Sequence, residues 1–213
     1  MQMTPFAWRR DEFVLLRELN HRHFNGLQSI ANSIARCGRE PTLAQTQARL
    51  ADLEERIFAH ASLHKLLSDA PRSGLLEIHC LALCFNLVRM YGREDVTPYV
   101  HMDDAELSAV QAFWMSLLVA ELVTNVLKHS LAREQGGTIW IDMRCVQQHE
   151  VELTVCDSRK ASLDGQAICE PRIANALVQI LSGKIDVLRD DGYVTRVRFP
   201  LETKSRYDPK ALL

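Results

Sequence analysis

The sequence has no excess of either charge, and this excludes two classes of partner. Its 25 lysine and arginine residues face 27 aspartate and glutamate residues, which gives a formal net charge of −2. Proteins that bind nucleic acid or an anionic membrane surface draw their affinity from clustered positive charge. We therefore expect neither nucleic acid nor a membrane among the partners.

Long apolar runs and paired cysteines are also missing. The longest apolar run, residues 113–126, is interrupted by Glu121, and the first residues lack the basic-then-apolar pattern of a secretory signal. The six cysteines are dispersed, and Cys80 and Cys84, the only close pair, lie in a leucine-rich segment with no further metal ligand. These absences predict a soluble cytoplasmic protein with reduced thiols and no resident metal.

The apolar residues that are present first follow a helical period. They predict one helix over residues 6–36 and a second over 43–67, joined by a turn at Gly38 and Pro41. The buried edge of the second helix is predicted to include Leu50, Leu53 and Ile57. One copy of such a hairpin cannot cover its own apolar stripe, so two copies should pair into a four-helix bundle. The sequence therefore predicts a homodimer.

The pattern becomes mixed after a linker at residues 69–74. Helices are expected over 75–91, 108–130 and 172–181, and strands over 96–102, 138–145, 151–156, 185–188 and 193–199. This is the pattern of an α+β sandwich, with helices against one face of a mixed sheet. The predicted organisation is a helical hairpin over 1–70, an α/β domain over 75–201 and a polar tail over 202–213.

One histidine in the first helix has the surroundings of a nucleophile. Glu18 and Asn25 lie one turn to either side of His21 on the same helix face, at the border between the apolar stripe and water. A neutral imidazole can attack a phosphorus atom, and a neighbouring acceptor can fix its tautomer. The segment Glu-Leu-Asn-His-Arg-x-x-Asn-x-Leu-Gln resembles the phosphoacceptor box of bacterial two-component histidine kinases. That resemblance implies that His21 is the phosphorylated residue.

A second motif covers residues 118–130, Leu-Val-Ala-Glu-Leu-Val-Thr-Asn-Val-Leu-Lys-His-Ser. It resembles the N-box of the GHKL ATP-binding domain that gyrase, Hsp90, histidine kinases and MutL share. The resemblance implies a GHKL fold in which Asn125 holds Mg²⁺, Glu121 polarises the attacking group and Lys128 adds positive charge. It also implies that Asp157 would bond the adenine amine. Ala120 departs from the HWE kinases, which have histidine there.

The glycine-rich segments of such a domain are missing. Arg159 and Ala161 replace the two glycines that should follow Asp157, where a free backbone with φ > 0 approaches the nucleotide. At the start of the next helix, where backbone amides would hold phosphates, Glu170 brings a negative charge and Pro171 has no N–H. We therefore expect Glu121, Asn125, Lys128 and Asp157 to be the remnant of a pocket that no longer binds ATP.

An acceptor histidine without a nucleotide pocket suggests a histidine phosphotransferase of a phosphorelay. Such a protein passes phosphate between the aspartates of response-regulator receiver domains through His21, and no sensor domain precedes His21 in this sequence. It needs no cofactor of its own, because the receiver supplies Mg²⁺. One alternative is a minimal cytoplasmic histidine kinase that phosphorylates His21 with ATP. Another is a non-catalytic protein that sequesters a regulator or a kinase.

Overall fold

The computed structural model describes residues 28, 30–36, 42–68, 71, 74–131, 136–147, 149–158, 172–188 and 194–202. Residues 30–36 are helical, as predicted for the first helix. Gln28 is helical as well. The other residues of that predicted helix, among them Glu18, His21 and Asn25, lie outside the described residues. The same is true of Arg159, Ala161, Glu170 and Pro171.

The described elements follow the predicted ones to within two residues. The helices are α1 (Leu43–Ser68), α2 (Leu76–Met90), α3 (Ala109–Asn125) and α4 (Arg172–Ile180). The strands are β1 (Val96–Met102), β2 (Gly137–Gln147), β3 (Glu150–Asp157), β4 (Lys184–Leu188) and β5 (Val194–Pro200). One difference is that the end of the predicted helix over 108–130 widens into a π-helical turn, Val126–Ser130.

The five strands form one mixed sheet in the order β1-β2-β3-β5-β4. β1 runs parallel to β2, and the remaining neighbours are antiparallel. Alternate residues of β2 and β3 point into the core, and the fully buried ones include Ile139, Ile141, Met143, Leu153 and Val155. Helices α2, α3 and α4 supply the other side of the same core. The predicted α+β architecture is confirmed.

Helix α3 is the central helix of this core. Ser108 caps its first turn by accepting the Gln111 N–H, and the Gln111 side chain accepts the Ser108 N–H in return. Nearly every residue of α3 is buried, on all sides, as expected for a helix that is apolar around its whole circumference. By length and composition alone, Ala109–Lys128 could cross a membrane. It is nevertheless packed between the sheet and the neighbouring helices, as a core helix is.

Helix α1 has a buried side and an exposed apolar side. Leu53 and Leu63 are buried, and Leu63 belongs to the same core as α2 and α3. On another side, Leu43 is 74% exposed, Leu50 48% and Ile57 44%, at intervals of seven residues. Within one chain, then, Leu53 is buried as predicted and Leu50 and Ile57 are not. The four-helix bundle and the domain boundary at residue 70 stay predictions.

Candidate functional site

The described part of the candidate site begins with two polar residues one turn apart on α3. Glu121 is only 5% exposed although α3 is otherwise apolar, and Asn125 is half-buried. The Asn125 Nδ2 donates a hydrogen bond of 3.2 Å to the Glu121 Oε1. The spacing of four residues places both side chains on one helix face, as the sequence predicted. The amide of Asn125 therefore already has an acceptor within its own helix.

The helix widens directly after Asn125. The N–H of Leu131 donates to the carbonyl oxygen of Val126 at 3.1 Å, a bond between residues five apart. Single π-helical turns of this kind are frequent at functional sites. Within the turn, the Lys128 ammonium lies 5.5 Å from the centre of the Tyr91 ring, a cation–π contact. The cation that the N-box resemblance assigns to phosphate thus rests on an aromatic ring.

Asp157 is the last residue of β3 and is 6% exposed. The next residue, Ser158, pairs with Thr138 of β2 in both directions. The Ser158 N–H donates to the Thr138 carbonyl, and the Ser158 hydroxyl accepts the Thr138 N–H, each at 3.0 Å. The π-helical turn also contacts β3. The structure therefore brings the N-box turn and the Asp157 strand into one region.

Arg93 was not predicted from the sequence, and it connects this region to β1. It is 5% exposed, and its guanidinium donates to both carboxylate oxygens of Asp95 at 2.9 and 3.0 Å. A third N–H donates to the carbonyl oxygen of Leu131 at 2.8 Å, directly after the π-helical turn. A single arginine after a helix is not part of any motif. Only the pattern Arg-x-Asp of residues 93–95 could have indicated that Arg93 forms a buried ion pair.

Asp95 makes contacts through both its side-chain carboxylate and its backbone carbonyl. The hydrogen bond from Arg93 lowers the pKa of the Asp95 carboxyl below its usual value. The Asp95 carbonyl accepts the N–H of Gly137 at 3.1 Å, and a Cβ at Gly136 would collide with that carbonyl oxygen. Arg93, Asp95 and the glycine pair therefore fix the end of the π-helical turn relative to the start of β2.

Neither a metal site nor a reactive thiol at Cys80 or Cys84 has support in the described part of the chain. Its His, Cys, Asp and Glu residues form no group of three that could hold a metal ion. Cys80 and Cys84 are fully buried, which confirms their predicted packing role. Burial raises the pKa of the Cys80 thiol to about 12 and that of Cys84 further. Both thiols are therefore unreactive near neutral pH.

Comparisons with known proteins identify the fold. No family model matches the chain, and no curated protein does. The histidine kinase domain of the Erythrobacter litoralis blue-light activated histidine kinase is 20% identical with a TM-score of 0.52, covering 85% of this chain and 94% of that one. A longer chain of the same kinase is 21% identical with a TM-score of 0.54, covering 96% of this chain. This chain spans 64% of the length of that longer one. The chain has the fold of a bacterial histidine kinase domain with a GHKL-type catalytic part.

Proposed function

We propose that the protein is a histidine phosphotransferase of a two-component phosphorelay. It receives phosphate on His21 from the aspartate of one response-regulator receiver domain and passes it to another receiver without using ATP. The fold supports a role related to histidine kinases, and the phosphoacceptor box supplies the candidate nucleophile. The proposed location is the cytoplasm, where receiver domains and reduced thiols are found together.

The observation that carries the proposal is the state of the remnant pocket. Lys128, the cation that would meet phosphate, lies over the Tyr91 ring and would have to leave that ring to bind a nucleotide. Asn125 donates to Glu121 through its amide nitrogen, and this bond does not involve the amide oxygen that would hold Mg²⁺. The sequence also provides few other donors for phosphate, because Glu170 and Pro171 occupy the positions where backbone amides should face it.

The proposed chemistry uses only the His21 imidazole and groups of the receiver. A neutral ring nitrogen attacks the phosphorus of the aspartyl phosphate, the N–P bond forms, and the P–O bond to the aspartate breaks. The aspartate leaves as a carboxylate, and Glu18 or Asn25 orients the ring through its other nitrogen. Mg²⁺ bound by the receiver stabilises the charge on the transferring phosphoryl group.

Dimerisation belongs to the same proposal. Leu43, Leu50 and Ile57 form an exposed apolar stripe along four turns of α1. A soluble monomer rarely leaves a contiguous stripe of this kind in water. Pairing with the same stripe of a second copy would bury it, in the four-helix arrangement that the sequence predicts.

An ATP-dependent histidine kinase is the second candidate, and one observation favours it. Two carboxylates that the family would use, Glu121 and Asp157, remain buried in the core at 5% and 6% exposure. Burying a carboxylate costs free energy, so a pocket without function would be expected to lose them. The Glu121 carboxylate accepts the Asn125 amide, which offers a structural reason for keeping that residue.

One pair of incubations separates the candidates. The protein is mixed with radiolabelled Mg-ATP and, separately, with a radiolabelled phosphorylated receiver domain. We expect label on the protein only from the receiver, and none when His21→Gln is used. Label from ATP would support the kinase instead. Absence of transfer from every receiver of the source cell would leave the sequestering protein as the surviving candidate.

A further inference from the structure

The sheet has a second face that no described helix covers. Strand register places one apolar residue from each strand in a single line across this face. This apolar rank consists of Tyr99, Trp140, Cys156, Val194 and Leu188, in spatial order. Tyr99 is 57% exposed, Trp140 41% and Leu188 39%. Cys156 and Val194 between them are half-buried. A line of exposed and half-buried apolar groups across five strands is unusual for a surface that faces only water.

A charged rank runs beside the apolar one, two residues away from it on each strand. It consists of His101, Asp142, Thr154, Arg196 and Asp186, in the same spatial order. Its two central charges are already paired within the sheet. Asp142 accepts a hydrogen bond of 2.6 Å from Arg144, and the Arg196 Nε lies 3.5 Å from a Glu152 oxygen. Covering this face would therefore leave neither charge unpaired.

These two ranks are complementary to themselves under one symmetry operation. The two-fold axis lies between the two facing sheets and runs parallel to β3. It places the apolar rank of a second copy against that of the first, in reverse strand order, so that Cys156 lies opposite Cys156. The aromatic end then lies against the aliphatic end of the other copy. In the charged rank, Asp142 meets Arg196 and His101 meets Asp186. A contact between identical copies needs this self-complementarity, with both partners using the same patch.

We propose that a second copy of this chain packs on the uncovered face, sheet against sheet, along the apolar rank. The proposal concerns a surface separate from the α1 stripe and does not depend on the phosphotransferase function. Sheets twist and diverge away from a central line of contact. The twist separates Arg144 from Arg198 of the other copy, which would otherwise approach as like charges.

The size of the face sets the strength of the contact. Five strands about 4.8 Å apart and about 20 Å long give a face of roughly 500 Å². A stable interface of standard size buries about 800 Å² on each partner, so this contact belongs to the weak, concentration-dependent class. If the α1 stripe forms the stable dimer, the sheet contact joins two such dimers as the protein concentration rises.

Cross-linking at Cys156 tests the geometry. Facing sheets are about 10 Å apart, too far for a direct disulfide, so the reagent is a short bis-maleimide. The reactive chain carries Cys37, Cys145 and Cys169 changed to Ser, since the buried Cys80 and Cys84 do not react. Partial burial raises the pKa of Cys156, so labelling is done at mildly alkaline pH. We expect a covalent dimer and at least tenfold less of it with Trp140→Glu.

The matched control keeps Cys145 and changes Cys156 to Ser. Cys145 is exposed in the same strand as Trp140 but an odd number of residues away, so its side chain belongs to the opposite side of the sheet. We expect no covalent dimer from this chain. Equal yields from the Cys145 and Cys156 chains, or equal yields with and without Trp140→Glu, would overturn the proposal.

A charge exchange tests the facing pairs independently. Asp142→Arg and Arg196→Asp each place like charges opposite one another between copies, and each should lower the Cys156 cross-linking yield severalfold. The double variant restores opposite charges between the copies and should recover the yield. Within one chain the two residues are separated by β3, so recovery points to contact between copies. Failure of the double variant to recover would refute this arrangement.

Discussion

The Arg93 guanidinium donates to the carbonyl oxygen of Leu131 at 2.8 Å, across 38 residues of sequence. This bond joins the turn before β1 to the end of the N-box helix. Because the same guanidinium also grips Asp95, a single buried side chain sets the position of the π-helical turn that carries Lys128. The position of the π-helical turn therefore depends on a residue that lies outside both sequence motifs.

Replacing Arg93 should destabilise the protein. Arg93→Met keeps much of the apolar stem and removes the three hydrogen bonds, so we expect the free energy of unfolding to fall by about 2 kcal/mol. Urea denaturation followed by circular dichroism measures the change. Arg89→Met is the control, because Arg89 is exposed at the end of α2, the helix that precedes Arg93. A loss below about 0.5 kcal/mol for Arg93→Met, as at an ordinary surface site, would contradict this role.

The Arg93–Asp95 pair should also make stability depend on pH. The pKa of Asp95 is lowered in the folded state. The carboxylate therefore contributes fully to the free energy of unfolding at pH values above its pKa in the unfolded chain, about 3.9. That contribution is lost as the pH falls through the folded value. Stability of the wild type should therefore decrease more steeply than that of Asp95→Asn between about pH 5 and pH 3. Parallel curves from urea titrations across this range would show that the pair contributes nothing.

The N-box residues should be dispensable for transfer from a receiver. Asn125→Ala and Lys128→Ala remove side chains that contact Glu121 and Tyr91, whereas a receiver brings its own Mg²⁺ for the transfer. We expect the rate of label transfer to stay within about twofold of wild type, which corresponds to less than about 0.5 kcal/mol. His21→Gln should abolish transfer. A large loss with Asn125→Ala would favour the kinase.

Dimerisation should depend on one side of α1. Ile57→Glu places a charge in the exposed stripe, so light scattering should give the monomer mass of 24.2 kDa where the wild type gives twice that. Phe58→Glu is the matched control. Phe58 is 66% exposed but lies about 100° around the helix from Ile57, outside the stripe. A monomeric wild type, or equal effects of the two substitutions, would exclude the α1 dimer.

Thr195 offers a stabilising substitution. It is fully buried in the core, and its hydroxyl has no hydrogen-bond partner among the residues that the structure describes. Valine has nearly the same shape without the hydroxyl, so Thr195→Val should raise the free energy of unfolding by about 1 kcal/mol. Thr154→Val, on the uncovered face, should change it little. Destabilisation by Thr195→Val would mean that the hydroxyl is paired.

Local periodicity was enough to predict the elements, because apolar spacing along α1, α2 and α3 is long and regular and the strands alternate cleanly. It could not predict the π-helical turn, because the contact that Arg93 makes with Leu131 at the end of that turn joins residues 38 apart in sequence. Nor could it predict the apolar rank. Trp140 and Val194 align only through the register of strands that are far apart in sequence, and register is a property of the folded sheet. The residues around His21 and the glycine replacements were read from motifs, and their geometry stays a prediction.

Pro98 has a consequence for how this protein behaves at high concentration. It occupies the third position of β1, at one edge of the sheet, and lacks the N–H that an added strand would need. At the other edge, β4 exposes Lys184 and Asp186, charges that disfavour strand addition. Open-ended growth by edge-to-edge pairing, the route to fibrils, is therefore disfavoured at both edges of the sheet.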